Sequence, residues 1–141
     1  MKEIQILKEI NKDAKMGMDS LNMVTDKVQD EKFKKLLNEQ HNEYQNIFDR
    51  TQELLVQNKE DMDDVPSMQK VMAWTGIQMS TLNDKSNSKL SELLIQGNDM
   101  GVIKGTKLLH ECSFTTPEIE NLLSDFVRLQ EKNIDDLKKF L

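Results

Sequence analysis

Apolar residues recur every three or four positions along most of the chain, which is the period of an amphipathic α-helix. No stretch alternates between apolar and polar residues with the period of two that is typical of a strand. The first stripe consists of Ile4, Leu7, Ile10, Ala14, Gly17 or Met18, Leu21, Val24 and Val28. The pattern therefore predicts an all-α protein whose first helix covers about residues 3–28.

A second helix follows almost immediately. Asp30 stands where an N-cap is expected, because its carboxylate can accept from the backbone N–H groups of the next turn. The apolar stripe then runs from Phe33 to Leu54 or Leu55, which predicts a helix over about 31–57. A joint this short folds the first two helices into an antiparallel hairpin.

The pattern stops after Gln57 in the acidic stretch NKEDMDDVPS, which contains Pro66. A shorter helix is predicted over about 67–82, and the stretch NDKSNS at 83–88 interrupts the pattern again. Two further helices are predicted over about 88–112 and 117–140. The last of them has a strong start signal, TTPE at 115–118, with a threonine cap and Pro117 in the first turn.

This order of elements predicts one domain over 1–141, with four long helices and a short helix between the second and the third. A simple up-and-down bundle joins its helices by short loops, whereas a single long crossover is the arrangement of ferritin-like bundles. We therefore predict a ferritin-like four-helix bundle with a short additional helix in the crossover.

Three short motifs add to this interpretation: KVQDEKFKKLL at 27–37, QGNDMG at 96–101 and TPEIENLL at 116–123. In these motifs the chain resembles a group of small bacterial ferritin-like proteins that form an uncharacterised domain family, DUF2383. The resemblance implies a ferritin-like bundle. It also places Met18 and Asn98 where the carboxylate ligands of a metal site are expected.

The ligand motifs of a di-iron site are absent from this sequence. Such a site uses Glu-x-x-His on two of its helices, because a spacing of three places both side chains on one face. The residue three positions before His41 is Asn38, and the residue three positions before His110 is Lys107. Neither motif is therefore present, and the metal site is interpreted as degenerate.

Polar residues occupy inward positions near the middle of two helices. They are Gln40 and His41 on the second helix, and Gln130 and Asn133 on the last. Amides and thioethers are weak ligands for iron, which prefers carboxylate and imidazole. The favoured interpretation is that an amide hydrogen-bond network has replaced the metal site.

The alternative is an iron-binding protein with an altered ligand set. That site would use His41 together with Glu39, Glu43 or Asp19. Iron is the cofactor of this alternative, and the favoured interpretation has no cofactor. No motif in the sequence indicates a catalytic residue, so the chain is interpreted as non-catalytic.

Methionine and glycine leave further alternatives open. The nine methionines suit a core with few aromatic residues, but Met16 and Met18 also suggest a soft Cu(I) site, and a Met-rich groove suits a partner helix. Gly97, Gly101 and Gly105 step by four and form a smooth strip on one helix. That strip permits close packing either within the bundle or across a homodimer.

Composition excludes several classes of protein. The net charge is −6 with 31% charged residues, which argues against nucleic acid as the main partner. No apolar run approaches the length of a membrane span, and a lone Cys112 is typical of a reducing cytoplasm. We therefore expect a cytoplasmic bundle that acts through protein contact, as a homodimer or with another protein.

Overall fold

A computed structural model of the protein describes residues 2–58 and 84–141. These residues form four α-helices and no strand. The helices are α1 (Glu3–Thr25), α2 (Glu31–Gln57), α3 (Asn87–Glu111) and α4 (Pro117–Leu137), and a short 3₁₀ helix, Lys138–Phe140, follows α4. The fold class is therefore all-α, with four helices in a bundle. The short helix predicted over 67–82 lies outside the described residues.

The turn between α1 and α2 begins earlier than the apolar stripe predicts. α1 ends at Thr25 rather than at 28, because the amide of Lys27 bonds the Val24 carbonyl in a tight turn. The Asp30 carboxylate then accepts from the Phe33 amide at 3.0 Å and starts α2. Val28 is nevertheless buried, so the apolar stripe continues past the end of the helix.

Contacts at the two ends of the bundle fix the direction of each helix. At one end, the Glu3 carboxylate at the start of α1 accepts from the backbone amides of Thr115 and Thr116, at the start of α4. At the other end, the Phe33 ring at the start of α2 stacks on Phe140, just after α4, with centroids 4.6 Å apart. α1 and α4 therefore run in one direction, and α2 runs in the other.

α3 runs in the same direction as α2. The Ser91 hydroxyl, near the start of α3, donates to the Leu137 carbonyl at the end of α4. Because α3 and α4 are antiparallel, the start of α3 lies at the end of the bundle where α2 begins. The last residue of α2, Gln57, and the first residue of α3, Asn87, thus lie at opposite ends of the bundle. A helix of 25 residues is about 37 Å long, so a similar distance separates these two residues.

The core is mostly apolar, and its buried glutamine side chains and two of its buried asparagines lie near the middle of the bundle. α1 packs most extensively on α2, and α3 on α4, while contacts between these two hairpins are sparser. The fully buried apolar side chains come from all four helices and include Ile6, Leu7, Phe33, Leu37, Leu90 and Leu122. Burial of these stripes explains why the helices form at these positions, since isolated helices of this length are only marginally stable in water.

Candidate functional site

Five polar side chains meet in the middle of the core, and we call them the central polar cluster. They are Gln40, Tyr44, Asn98, Gln130 and Asn133, and all five are buried. Gln40 and Tyr44 are one turn apart on α2, and Gln130 and Asn133 are one turn apart on α4, so each pair shares a helix face. α3 contributes Asn98. The cluster therefore joins both hairpins of the bundle.

Tyr44 is the centre of this cluster. Its hydroxyl donates to the Asn98 carboxamide oxygen at 2.8 Å, and the Asn98 amide nitrogen donates to the Leu94 carbonyl at 2.9 Å. The Tyr44 ring also packs edge-on against Phe126 of α4, with centroids 5.9 Å apart. Tyr44 thereby connects α2 to α3 by a hydrogen bond and to α4 by ring packing.

The three glutamine and asparagine side chains from α2 and α4 are incompletely paired. Among the described residues, neither amide atom of Gln40 or Asn133 has a hydrogen-bond partner, and the Gln130 Oε1 atom has none. A buried polar group without a partner costs about 1–3 kcal/mol, so apolar side chains of the same shape would give a more stable core. Such groups need an explanation beyond packing.

Two glycines make room for the cluster. A Cβ atom on Gly101 would stand 2.2 Å from Gln130 Nε2, and one on Gly17 would stand 2.9 Å from the Tyr44 ring. Glycine inside a helix costs about 1 kcal/mol relative to alanine. Gly105, one turn after Gly101, faces Val127 of α4 in the same way, because a Cβ atom on Gly105 would stand 2.5 Å from a Val127 methyl carbon. Gly101 and Gly105 therefore face α4 within the bundle.

An open groove, which we call the α1–α3 groove, adjoins the cluster. It has a volume of about 470 Å³, and Tyr44, Asn98 and Gln130 contribute to its lining. Most of its remaining surface is apolar and comes from α1 and α3. Gly97 and Gly101 also line it. The groove therefore reaches the edge of the central polar cluster.

Charged side chains stand at the rim of this groove. The Lys104 ammonium bonds the carboxylates of Glu9 at 2.7 Å and Asp13 at 2.9 Å. Burial raises the pKa of Asp13, and the charge of Lys104 offsets only part of that rise. Burial alone would lower the pKa of Lys104, but its contacts with Glu9 and Asp13 raise it overall. These charges are paired with one another across α1 and α3.

We expect Tyr44 to titrate with a pKa of about 12, because burial favours its neutral form. The ordinary pKa of a tyrosine side chain is 10.0. The folded state keeps the proton between pH 10 and 12, so the stability that Tyr44 contributes is complete below pH 10 and falls as the pH rises towards 12.

Tyrosinate absorbance gives this pKa directly, since Tyr44 is the single tyrosine of the chain. The control is the pH dependence of the free energy of unfolding in Tyr44→Phe. This variant should lack the loss of stability that the titration of Tyr44 causes as the pH rises from 10 towards 12. A midpoint at the ordinary value of 10.0, in protein that is still folded, would contradict burial of the hydroxyl.

The residues of the alternative iron site do not converge. His41 is partly exposed and Glu39 is exposed, next to the buried Gln40. Glu43 lies 3.4 Å from the Lys132 ammonium, and the buried Asp19 carboxylate pairs with Lys15 at 3.0 Å. Within residues 2–58 and 84–141, no group of three or more His, Cys, Asp and Glu side chains is placed to hold a metal ion.

The inward amides singled out from the sequence lie in the cluster, whereas Tyr44 was missed as a functional residue. Gln40, Gln130 and Asn133 are all buried. The spacing marked Tyr44 only as a member of the apolar stripe, and nothing in the sequence pairs it with Asn98. A second buried polar contact was also missed: Asn11 Nδ2 donates to the Thr51 hydroxyl at 2.7 Å.

The fold and the site define a small all-α four-helix bundle with a polar centre. Among the described helices, none is both long and apolar enough to cross a membrane. No family model matches the chain, and no curated protein matches it. The DUF2383 resemblance therefore has no support from these comparisons.

A solved structure does share the fold. The chain is similar to the crystal structure of a DUF305 fragment from Deinococcus radiodurans, with a TM-score of 0.77. The similarity covers 97% of this chain and 93% of that chain, at 13% sequence identity. At this level of identity the similarity establishes the helical bundle alone.

Proposed function

We propose that this protein is a non-catalytic, ferritin-like bundle that acts through protein contact, and that its first partner is a second copy of itself. The observation that carries this proposal is an apolar patch in the middle of α3. Met100 and Ile103 are 59% and 52% exposed, although both are large and apolar. They are three residues apart and share one helix face, which we call the α3 patch.

The ferritin-like part of the proposal is supported by the direction of the helices. Because α2 ends and α3 begins at opposite ends of the bundle, the chain between them needs one long connection, as in ferritin-like folds. Met18 and Asn98, which the resemblance places at ligand positions, are both buried. The side chains that form the central polar cluster with Asn98 are carboxamides and a tyrosine, which supports a degenerate metal site.

A second copy fits the α3 patch because the patch complements itself. In an antiparallel pairing of two α3 helices about a twofold axis, Met100 lies opposite Ile103 of the second copy, and the reverse contact follows by symmetry. Asp99 then lies opposite Lys104 of the second copy, whose ammonium also pairs with Glu9 and Asp13 of its own chain. Two side chains from each copy form a small interface, so we expect a weak dimer that forms only at high protein concentration.

We expect Ile103→Glu to abolish this dimer, because it would place two carboxylates close to the twofold axis. Sedimentation velocity over a range of concentrations measures the association. Val56→Glu is the matched control, since Val56 is 63% exposed on α2, away from the α3 patch. A wild-type protein that stays monomeric at millimolar concentration, or a dimer that Ile103→Glu leaves intact, would exclude this interface.

The compartment belongs to the same proposal. Cys112 is the single cysteine of the chain and is partly buried just after α3. A chain with one cysteine forms no internal disulfide, which suits the reducing cytoplasm. We therefore propose a cytoplasmic protein whose partners are proteins rather than nucleic acid.

A further inference from the structure

We propose that Glu3 is an acid-sensitive latch, which holds residues 112–116 against the start of α1 while its carboxylate is ionised. Residues 112–116 join α3 to α4, and we call them the α3–α4 connection. When Glu3 is protonated, this connection loosens while the rest of the bundle stays folded. The latch lies where α1 and α4 begin, whereas the α3 patch is in the middle of α3, so the latch does not depend on dimer formation.

Both oxygen atoms of the Glu3 carboxylate accept hydrogen bonds from the α3–α4 connection. The backbone amides of Thr115 and Thr116 donate to Glu3 Oε1 at 2.6 and 2.8 Å. The hydroxyl groups of the same two threonines donate to Glu3 Oε2 at 2.9 and 3.1 Å. Four donors from the second hairpin of the bundle therefore converge on one carboxylate of the first hairpin.

Glu3 takes the place of a local cap at the start of α4. Thr116 is the N-cap residue, but its side chain makes no capping hydrogen bond within α4, and its hydroxyl donates to Glu3. The amides at the start of a helix lack partners within that helix, and the positive end of the helix dipole attracts a carboxylate. The start of α4 is thus stabilised by a side chain of α1, most strongly while that side chain is ionised.

The same contacts favour the ionised form of Glu3. The pKa of Glu3 lies below its ordinary value of 4.5, chiefly because of the hydrogen bond from the Thr116 amide. Partial loss of hydration opposes this shift, and the bonds from Thr115 add to it. The contribution of Glu3 to stability is therefore complete well above pH 4.5 and is lost as the pH falls below that value.

Other charged or titratable side chains flank this end of the bundle, and all of them are exposed. They are Lys2 before α1, Glu53 in α2, His110 and Glu111 at the end of α3, and Glu118 and Glu120 in the first turn of α4. All of these side chains remain in Glu3→Gln. The comparison of that variant with wild type therefore isolates the titration of Glu3.

Cys112 reports on the α3–α4 connection, because it is the first residue of the connection and the single cysteine of the chain. Its side chain is partly buried against the core, so its reaction with a thiol reagent becomes faster when the connection opens. Dithiodipyridine modifies thiols in acid as well as at neutral pH. Dividing its rate by that of urea-unfolded protein at the same pH removes the effect of thiol ionisation.

In wild type, we expect the protection of Cys112 to fall about tenfold as the pH falls below 4.5. Glu3→Gln keeps the size of the side chain but never ionises. Its protection should be about tenfold lower than that of wild type at neutral pH, without the step in acid. Glu118→Gln makes the same change on the exposed first turn of α4 and should keep the step of wild type.

Amide resonances of the wild-type, full-length protein test the contact itself and need no variant. In ¹H–¹⁵N spectra, the amide protons of Thr115 and Thr116 should shift upfield together as Glu3 is protonated, with a midpoint below pH 4.5. Leu37 and Leu90 are fully buried in the half of the bundle where α2 and α3 begin. Their resonances should remain those of the folded protein over the same range, since the latch opens locally.

Three results would overturn the proposal. Threonine amides that do not titrate would show that Glu3 does not bond the connection. Equal protection of Cys112 in wild type and Glu3→Gln at neutral pH, or an acid step that Glu118→Gln removes, would show that Glu3 is not the latch. If Leu37 and Leu90 lose their folded resonances at the pH at which Cys112 becomes reactive, the whole bundle unfolds and there is no local opening.

Discussion

Phe33→Ala should lower the free energy of unfolding by about 4 kcal/mol, the largest effect that we expect from a single substitution in the core. Phe33 is fully buried at the start of α2, and its ring stacks on Phe140 at an interplanar angle of 14°. Truncation removes this stacking and leaves a cavity at the end of the bundle where α2 meets α4. Urea denaturation followed by circular dichroism measures the loss.

Phe48→Ala is the control for this prediction. Phe48 is on the same helix and carries the same side chain, but it is only partly buried against the core. Its truncation should cost about 1–2 kcal/mol, since less apolar area is lost from the interior. Equal losses for Phe33→Ala and Phe48→Ala would mean that Phe33 and Phe140 do not pack against each other in solution.

The second large effect has the opposite sign. We expect Gln40→Met and Asn133→Leu each to raise the free energy of unfolding by about 2 kcal/mol, because each replaces two unpartnered buried atoms with apolar ones. Both substitutions keep the approximate size and shape of the side chain. The double variant should gain about 4 kcal/mol, with a melting temperature about 10 °C higher.

A surface substitution tests whether this gain comes from the core. Gln45→Met, on the exposed side of α2, should change stability by less than about 0.5 kcal/mol. If the double variant is less stable than wild type, the two carboxamides have partners in solution and the polar centre stabilises the fold. A gain would show that these amides persist despite a cost to stability, as expected of a functional site.

The helical fold could be predicted from the sequence because its signals are local. The stripe through Leu7, Ile10 and Ala14 has the helical period over several turns, and Asp30 and Pro117 mark helix starts by their own side chains. The prediction of an all-α, four-helix bundle is confirmed. The ferritin-like topology stays a proposal, and the helix predicted over 67–82 lies outside the described residues.

The candidate site could be predicted only in part. Spacing placed Gln130 and Asn133 on the inward face of the last helix, and both are buried. Whether a buried amide finds a partner depends on the helices opposite it, and the sequence does not give their rotation or height. The lack of partners for these amides and the space that Gly101 leaves for Gln130 are therefore visible only in the structure.

The sequence by itself determined that the chain is helical, where the helices start, and which residues each helix turns inward. Only the tertiary structure decided which of those residues meet: Tyr44 bonds Asn98 across 54 positions, and Glu3 bonds Thr115 across 112. The reason is the range of the interactions. Helical period and capping act within one or two turns, whereas the register between helices follows from packing all four apolar stripes together around one core.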